Sequence, residues 1–377
     1  MRTLALVFAM GVACVLNAQM AAHEFAKVDD IALKMPHSVT TTVQGFAGYI
    51  HTNFISQTDK SRAIFTWITN NIEYNMMGRQ SIVAYKDKIE LAENVLQTRK
   101  GICMHYAELY NAVANMVGIK TYVVTGYTKN KGTVTGLSHA WCVSLIGSNW
   151  YFFDPTWGAG YVQDAKFIKK FNPQYFKTSP QQLLTSHMPF DPLWQMVHYP
   201  ITYQEFNNGN TVMNTNRPFF NYDDSISKFE KQTKAERLVE ACRRITANGI
   251  PNAQVQDRLN FYKKQIDTEN KRAFVTMYND AVKLYNGGIE HLNKLIYYRR
   301  NQQFAKAGLD TELYEMVNKV EKSLTGSREK LKEIENSGTL TENTIQQLNS
   351  SIDKALMSLN EQKQALAYTQ NRKNNKR

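Results

Sequence analysis

The sequence predicts an α+β domain followed by an all-α region, and three observations carry that reading. Apolar residues recur at helical spacing through most of residues 41–117. Short runs rich in Thr, Tyr, Val and Trp follow between 120 and 154. Beyond residue 224, apolar positions three and four apart return. Helices first and then a strand meander is the order of an α+β domain, not of an alternating parallel-sheet fold.

The chain has 377 residues, 43% hydrophobic and 21% charged, enough for two domains or one large one. Residues 1–20 read as a signal peptide: Arg2 is a short positive segment, Leu4 to Leu16 is apolar but too short to span a bilayer, and Ala18 suits a cleavage point. The protein is therefore expected to be exported, as a periplasmic, cell-surface or secreted molecule. Cys14 offers a lipoprotein alternative, although Gly11 is a poor match to the aliphatic residue usual there. No later stretch is long and apolar enough for a membrane span. The formal net charge is +12, and residues 231–377 hold 26 Lys/Arg against 17 Asp/Glu. Mixed-sign helices of this kind are ordinarily a solvated face; the alternative is a polyanionic or membrane-surface neighbour.

The elements follow in order. Val43, Phe46, Ile50 and Phe54 mark a first helix, and Asp59 opens a second with Ile64, Phe65, Ile68 and Ile72 inward. A polar loop runs near Asn75 to Gln80. Leu91 to Leu96 is a short helix that ends at Arg99-Lys100-Gly101. The apolar helix from Cys103 to Val117 has Ala107, Tyr110, Ala114 and Val117 as its buried stripe, and Gly118 stops it. Strands are expected at 120–127, 139–146 and 150–154, with a Gly/Lys/Thr loop over 128–137 and a turn at Gly147-Ser148-Asn149. Residues 160–222, rich in aromatics and Pro, read as an irregular extension. Tyr278, Val282, Tyr285, Ile289, Leu292 and Ile296 form one heptad-like seam, and Ile345, Leu348, Ile352, Ala355 and Leu359 another. Asn286-Gly287-Gly288 is expected to bend or break the first helix. Thr339 with Glu342 reads as a capping box, and the tail from Asn371 to Arg377 as frayed. These helices predict an antiparallel bundle or hairpin, self-contained or serving as an oligomer or partner contact.

Cys103 begins a helix, where the macrodipole and the first-turn amides favour a thiolate. Gly101 leaves room for close approach to the backbone. His105 lies two residues on and points to a different side. His139 starts a strand and Asp154 ends the next, so a tight turn near Gly147 sets the two almost opposite each other. The carboxylate can then fix the imidazole tautomer and leave the other ring nitrogen for Cys103. That is a nucleophile, base and orienter set for acyl transfer. Taken singly, each residue has a plainer reading: Cys103 as a small core residue, His139 as a structural histidine, Asp154 before Pro155 as a turn residue. Their order on these elements favours the chemical reading. Cys142, three residues past His139, belongs to the opposite strand face and is assigned to the core; a Cys103–Cys142 disulfide would block the chemistry. No spacing suggests a metal site or a phosphate loop, so no cofactor is expected. No aromatic and basic interleaving suggests nucleic-acid binding.

Several stretches together resemble the transglutaminase-like superfamily, in its kyphoscoliosis-peptidase-type branch. They are Trp67-Ile68-Thr69-Asn70-Asn71-Ile72-Glu73-Tyr74, Lys100-Gly101-Ile102-Cys103, Tyr106-Ala107, Gly118-Ile119, Gly126-Tyr127, His139-Ala140-Trp141, Trp150-Tyr151 and Asp154-Pro155-Thr156-Trp157-Gly158. Further on, Tyr175-Phe176, His187-Met188-Pro189 and Trp194-Gln195 continue the likeness. It covers about residues 40–205. It implies a papain/transglutaminase-like core, with a nucleophile helix packed on an antiparallel sheet, and Cys103, His139 and Asp154 as catalytic residues. Cys142 stands where such sequences often have Asn; some members have a Trp oxyanion donor upstream of the nucleophile, a role open to Trp67, whose alternative is to pack its helix. The expected organisation is a catalytic domain at 21–222 and a helical region at 223–377. The expected function is cysteine-dependent hydrolysis of a peptide or amide. Crosslinking, or binding without turnover, are the alternatives.

Overall fold

In the computed structural model, residues 24–76, 86–306, 308–336 and 342–374 are described. The expected signal peptide with Cys14, most of the 75–80 loop, Thr339 of the capping box and the last three residues lie outside them. The chain divides into two compact units, residues 1–262 and 263–377.

The first unit opens with helices α1 (Ala26–Leu33), α2 (Val43–Asn53) and α3 (Gln57–Asn71). Side-chain oxygens at the N-caps start two of them, Thr42 for α2 and Ser56 for α3. The expected inward residues Phe46, Ile50, Ile64, Phe65, Ile68 and Ile72 are all buried in one core. Arg62 is buried beside them: Asp29 takes its guanidinium at 2.7 Å through both oxygens, and the rings of Phe25, Phe171 and Phe176 surround it. Helix α4 (Lys88–Thr98) ends at Arg99 in the left-handed conformation. Helix α5 (Cys103–Met116) ends near Gly118, whose φ of +83° suits a residue without Cβ. Between α3 and α5, the two-residue strands β1 (Glu73–Tyr74) and β2 (Lys100–Gly101) pair in parallel.

The main sheet has the order β5-β4-β3-β8, with β3 at Thr121–Asn130, β4 at Thr133–Ile146, β5 at Asn149–Phe153 and β8 at His187–Pro189. The expected loop over 128–137 is mostly strand instead. Lys131 and Gly132, both at positive φ, make a two-residue turn whose twist suits a hairpin, so pairing resumes at Asn130–Thr133. The extension after residue 160 also holds strands: a hairpin of β6 (Gly160–Gln163) and β7 (Lys166–Lys169), then β8, which docks on β3 at Gly126–Pro189. A Cβ on Gly126 would stand 2.1 Å from Met188 O and 2.6 Å from the Trp141 ring, so glycine is what lets β8 approach.

The sheet pleat sorts side chains between two cores. Ala140, Cys142, Ile146 and Phe153 face the helices. Trp141, Val143, Trp150 and Phe152 face away, under residues such as Leu193 and Ile226. The change of sequence character near residue 223 marks the return to helices, whereas packing divides the chain at 262. After the short helices α6 (Pro155–Ala159), α7 (Pro180–Leu183) and α8 (Tyr203–Asn207) and then α9 (Tyr222–Lys231), helix α10 (Lys234–Asn248) holds Arg244 against Asp191 with two contacts of 2.7 Å. Ile245, Val255 and Leu259 share a core with Tyr127, Phe190 and Tyr203.

The second unit contains the latter part of helix α11 (Ala253–Arg300), with α12 (Asp310–Asn336) and α13 (Glu342–Asn374). Contacts of Ala281 with Ser327 and Lys294 with Glu312 run in opposite chain directions, as do Glu321–Lys363 and Asp310–Gln370. Neighbours α11–α12 and α12–α13 are therefore antiparallel. Leu292, Ile345, Leu348, Ile352, Ala355 and Leu359 of the expected seams are buried together. Asn286-Gly287-Gly288 does not interrupt α11. A Cβ on Gly288 would come within 3.1 Å of Leu324, so the small residue serves close helix packing rather than a bend. Among the described residues, no helix is long and apolar enough to cross a membrane.

Candidate active site

The sequence puts three chemically useful residues at element ends, and the fold brings those ends together where the sheet loses a strand. Leu145 N–H bonds Lys120 O, so odd-numbered amides of β4 point toward β3 and even-numbered ones point toward β5. Strand β5 pairs with β4 only as far as Phe153–Cys142. Ala140 is the next amide on that side, and it favours the Cys103 thiolate. The sulfur therefore stands at the open edge of the sheet, on the first residue of α5.

His139 and Asp154 share the strand face away from the helices. Continuing the register past Cys142–Phe153 would set Trp141, not His139, opposite Asp154. The near-opposition expected of the hairpin is a diagonal one, which the pleat keeps on one face. His139 Nε2 donates to Asp154 Oδ2 at 2.7 Å, and the Cys103 sulfur is near enough to the imidazole for each to shift the other's ionisation. Asp154 is wholly buried. Its Oδ1 accepts from Thr156 N at 2.9 Å and Trp157 N at 3.0 Å, so it also caps the short helix α6 (Pro155–Ala159).

Sequence reasoning left a fourth participant unassigned. His187, on β8 and fully buried, brings its Nε2 to 3.0 Å from the same Asp154 Oδ2, while Ser186 Oγ stands 2.8 Å from its Nδ1. A three-residue strand has no periodicity to reveal it. The only signal was its motif, His187-Met188-Pro189. The rings of Trp141, Trp157 and Tyr175 enclose the pair of histidines, with Trp157 4.6 Å from His187 and 5.7 Å from His139 between centroids.

The charges are coupled. Burial by itself would lower the His139 pKa, but the Asp154 charge and hydrogen bond, joined by the Cys103 sulfur, push it up to about 10. Burial by itself would raise the Cys103 pKa; the hydrogen bond and charge of His139, with the Ala140 amide, bring it below that of an ordinary thiol. Asp154, despite burial, is held well below the usual carboxylate range by the two histidines. His187 goes the other way: burial disfavours its cation and, with the His139 charge nearby, outweighs Asp154. The favoured arrangement is thiolate, imidazolium, carboxylate and neutral His187. His139, Asp154 and His187 also have the residue types of a metal cluster. Both ring nitrogens lie at hydrogen-bond distance from one carboxylate oxygen, so the three groups satisfy one another directly.

Other expected residues take different places. His105 Nδ1 accepts from Ile102 N at 3.3 Å, away from the sulfur. A Cβ on Gly101 would meet His105 Cβ at 2.5 Å, so this glycine makes room for His105. Trp67 is buried against Phe46, with the Arg99 guanidinium over its ring. Cys142 Sγ donates to Ala107 O at 3.2 Å, deep in the helix-facing core. Cys103 and Cys142 are free thiols, so the disulfide between them that would block the chemistry is not formed.

Residues 44–155 match the model of the transglutaminase-like superfamily. The kyphoscoliosis peptidase of Mus musculus is 32% identical over 162 residues, which cover 41% of this chain and 24% of that protein. Hillarin of Drosophila melanogaster is 23% identical over 206 residues, covering 49% of this chain and 24% of that protein. A solved structure described as a TGase is 20% identical and covers 41% of this chain and 38% of that one, with a TM-score of 0.26. The chain thus spans about a quarter of the length of the curated relatives it matches.

Proposed function

We propose, starting from residues 44–155 as a transglutaminase-like domain, that the protein is a cysteine-dependent acyl-transfer enzyme that hydrolyses a peptide or amide bond. One observation carries the reading: His139 is hydrogen-bonded to the buried Asp154 and electrostatically paired with Cys103. The Cys103 thiolate attacks the carbonyl carbon. The oxyanion that forms lies beside the Cys103 and Met104 amides at the head of α5, ahead of the first hydrogen bonds of the helix, which start at His105 N. His139 gives its proton to the departing amine as the C–N bond breaks, leaving a thioester on Cys103. His139, now neutral, takes a proton from water; the hydroxide attacks the thioester and the thiolate leaves, restoring the starting pair. Asp154 holds the ring so that the nitrogen facing the sulfur carries the mobile proton.

An amine in place of water would give a crosslink by the same steps. Hydrolysis is favoured because water is present at about 55 M, an advantage in the sense of effective concentration. The test is turnover of a peptide library by the wild type and Cys103→Ala, with and without added primary amine. The expected result is hydrolysis that Cys103→Ala abolishes and that amine does not redirect. Turnover that survives Cys103→Ala refutes the assignment. We further propose, from the apolar segment and cleavage-like residues at 1–20, that the protein acts after export; detection of the intact, uncleaved chain in the cytosol of cells making it would refute this.

A further inference from the structure

The Cys103–His139–Asp154 line accounts for the buried His139 and Asp154 and leaves a third buried polar group aside. His187 is fully buried, imported from a distant strand, and aimed at the carboxylate that His139 uses. A histidine placed there only to fill space would be poorer than an apolar ring, because burying an imidazole has a desolvation cost. Here both ring nitrogens are engaged. Nε2 faces a carboxylate oxygen and must carry the hydrogen, since a lone pair there would repel. Nδ1 is then the acceptor, and the Ser186 hydroxyl donates to it at 2.8 Å, the shorter of that hydroxyl's two contacts. The tautomer is fixed from outside the site.

We propose that His187 is a positioning residue for the reaction: by donating Nε2–H to Asp154 Oδ2, it locks the carboxylate in the orientation that aligns His139 with Cys103. Three features of the geometry support this. The Thr156 and Trp157 amides hold Oδ1, but nothing in that pair fixes which way Oδ2 leans. His139 and His187 approach Oδ2 from two strands, β4 and β8, at 2.7 and 3.0 Å. Gly126 and the β3–β8 pairing fix β8, so the second donor rests on the sheet itself. The titratable groups facing His187 are Asp154, His139 on β4 and the Tyr175 ring; Cys103 acts on it through His139. The remaining walls, Trp141 and Trp157, carry no charge.

This inference rests on the proposed cysteine chemistry, and its test needs no known substrate. The full chain is alkylated with iodoacetamide across pH 5 to 10, and Cys103 modification is followed by mass. Two amides replace the imidazole. His187→Gln keeps a donor where Nε2 stands; His187→Asn keeps the polarity but places its donor one bond short. Lost packing alone would lower the stability of His187→Asn without moving the Cys103 midpoint. The expected result is a wild-type profile for His187→Gln to within about threefold, and for His187→Asn a midpoint raised by about one unit, hence about tenfold slower reaction at pH 6. A folded His187→Asn with the wild-type profile, or equal shifts in both variants, overturns the proposal. If either variant fails to fold, Ser186→Ala replaces it: a smaller upward shift supports the role, and an unchanged profile overturns it. A wild-type midpoint like that of free cysteine would instead sink the acyl-transfer reading, so the two failures are distinguishable.

Discussion

Replacing Asp154 by Asn should disarm Cys103 without unfolding the protein. Asn keeps an oxygen for the Thr156 and Trp157 amides, so the cap on α6 survives. Its NH2 group, however, now meets two imidazole N–H donors, those of His139 and His187. Three donors cannot share one site, so at least one ring must change tautomer or turn. The negative charge that lifts the His139 pKa to about 10 is gone as well. The thiolate–imidazolium pair then reverts to neutral thiol and imidazole. A thiol with the ordinary pKa of 9.0 is about 0.1% ionised at pH 6, a loss of about a thousandfold in thiolate if the native pair is fully formed. The more basic thiolate is intrinsically more nucleophilic, which recovers part of this, so alkylation at pH 6 should slow by about 10²- to 10³-fold. The assay is iodoacetamide labelling at pH 6 and pH 10, with circular dichroism to show an intact fold. The two proteins should converge at pH 10. A folded Asp154→Asn that reacts within about threefold of wild type at pH 6 would refute the coupling of carboxylate to sulfur through His139, because the expected loss is far larger.

Other perturbations test the fold that holds the site. Gly126→Ala should cost about 1–3 kcal/mol from overpacking against Met188 O and Trp141 and should loosen β8; urea unfolding measures it, and an unchanged midpoint would show that β8 is not tightly seated. A chain ending at Tyr262 should stay folded and keep its fast thiol, whereas one ending at residue 222 loses Arg244 from the buried Asp191 and should lose about 3–5 kcal/mol; equal thermal stability of the two would refute the division at 262. In a Cys103→Ala background, where the sulfur no longer contributes, Asp154 still raises the His139 pKa above 6.5. A raised folded pKa stabilises fully below the unfolded value and fades as pH climbs through the folded one. Denaturant unfolding should therefore show stability falling between pH 6.5 and somewhat below 10, relative to Cys103→Ala/His139→Gln. Parallel pH curves for the two would refute it.

Much of the site was legible in the chain because its signals are local. Cys103 after Lys100-Gly101-Ile102 at the head of an apolar helix, and His139 and Asp154 bracketing a hairpin with a glycine turn, depend on helix starts and on the two-residue pleat, both written within a few tens of residues. The apolar seams around Ile289 and Ile352 were legible for the same reason. What stayed hidden was set by approach across long separations. The strand over 128–137 looked polar because half of it is exposed, and only the Lys131-Gly132 turn makes it a hairpin. Gly101 and Gly288 seemed to offer substrate access and a helix bend, yet each makes room for one neighbouring side chain, His105 or Leu324.

The sequence by itself determined which residue types could become nucleophile, base and acid, and on which elements they would ride, since periodicity and turn chemistry act over short range. Only the tertiary structure decided that the sulfur sits where β5 leaves β4, that His139 meets Asp154 on the diagonal, and that His187 arrives from β8 to share the same oxygen. Those outcomes depend on strand register and close packing among segments tens of residues apart, and no local pattern carries that information.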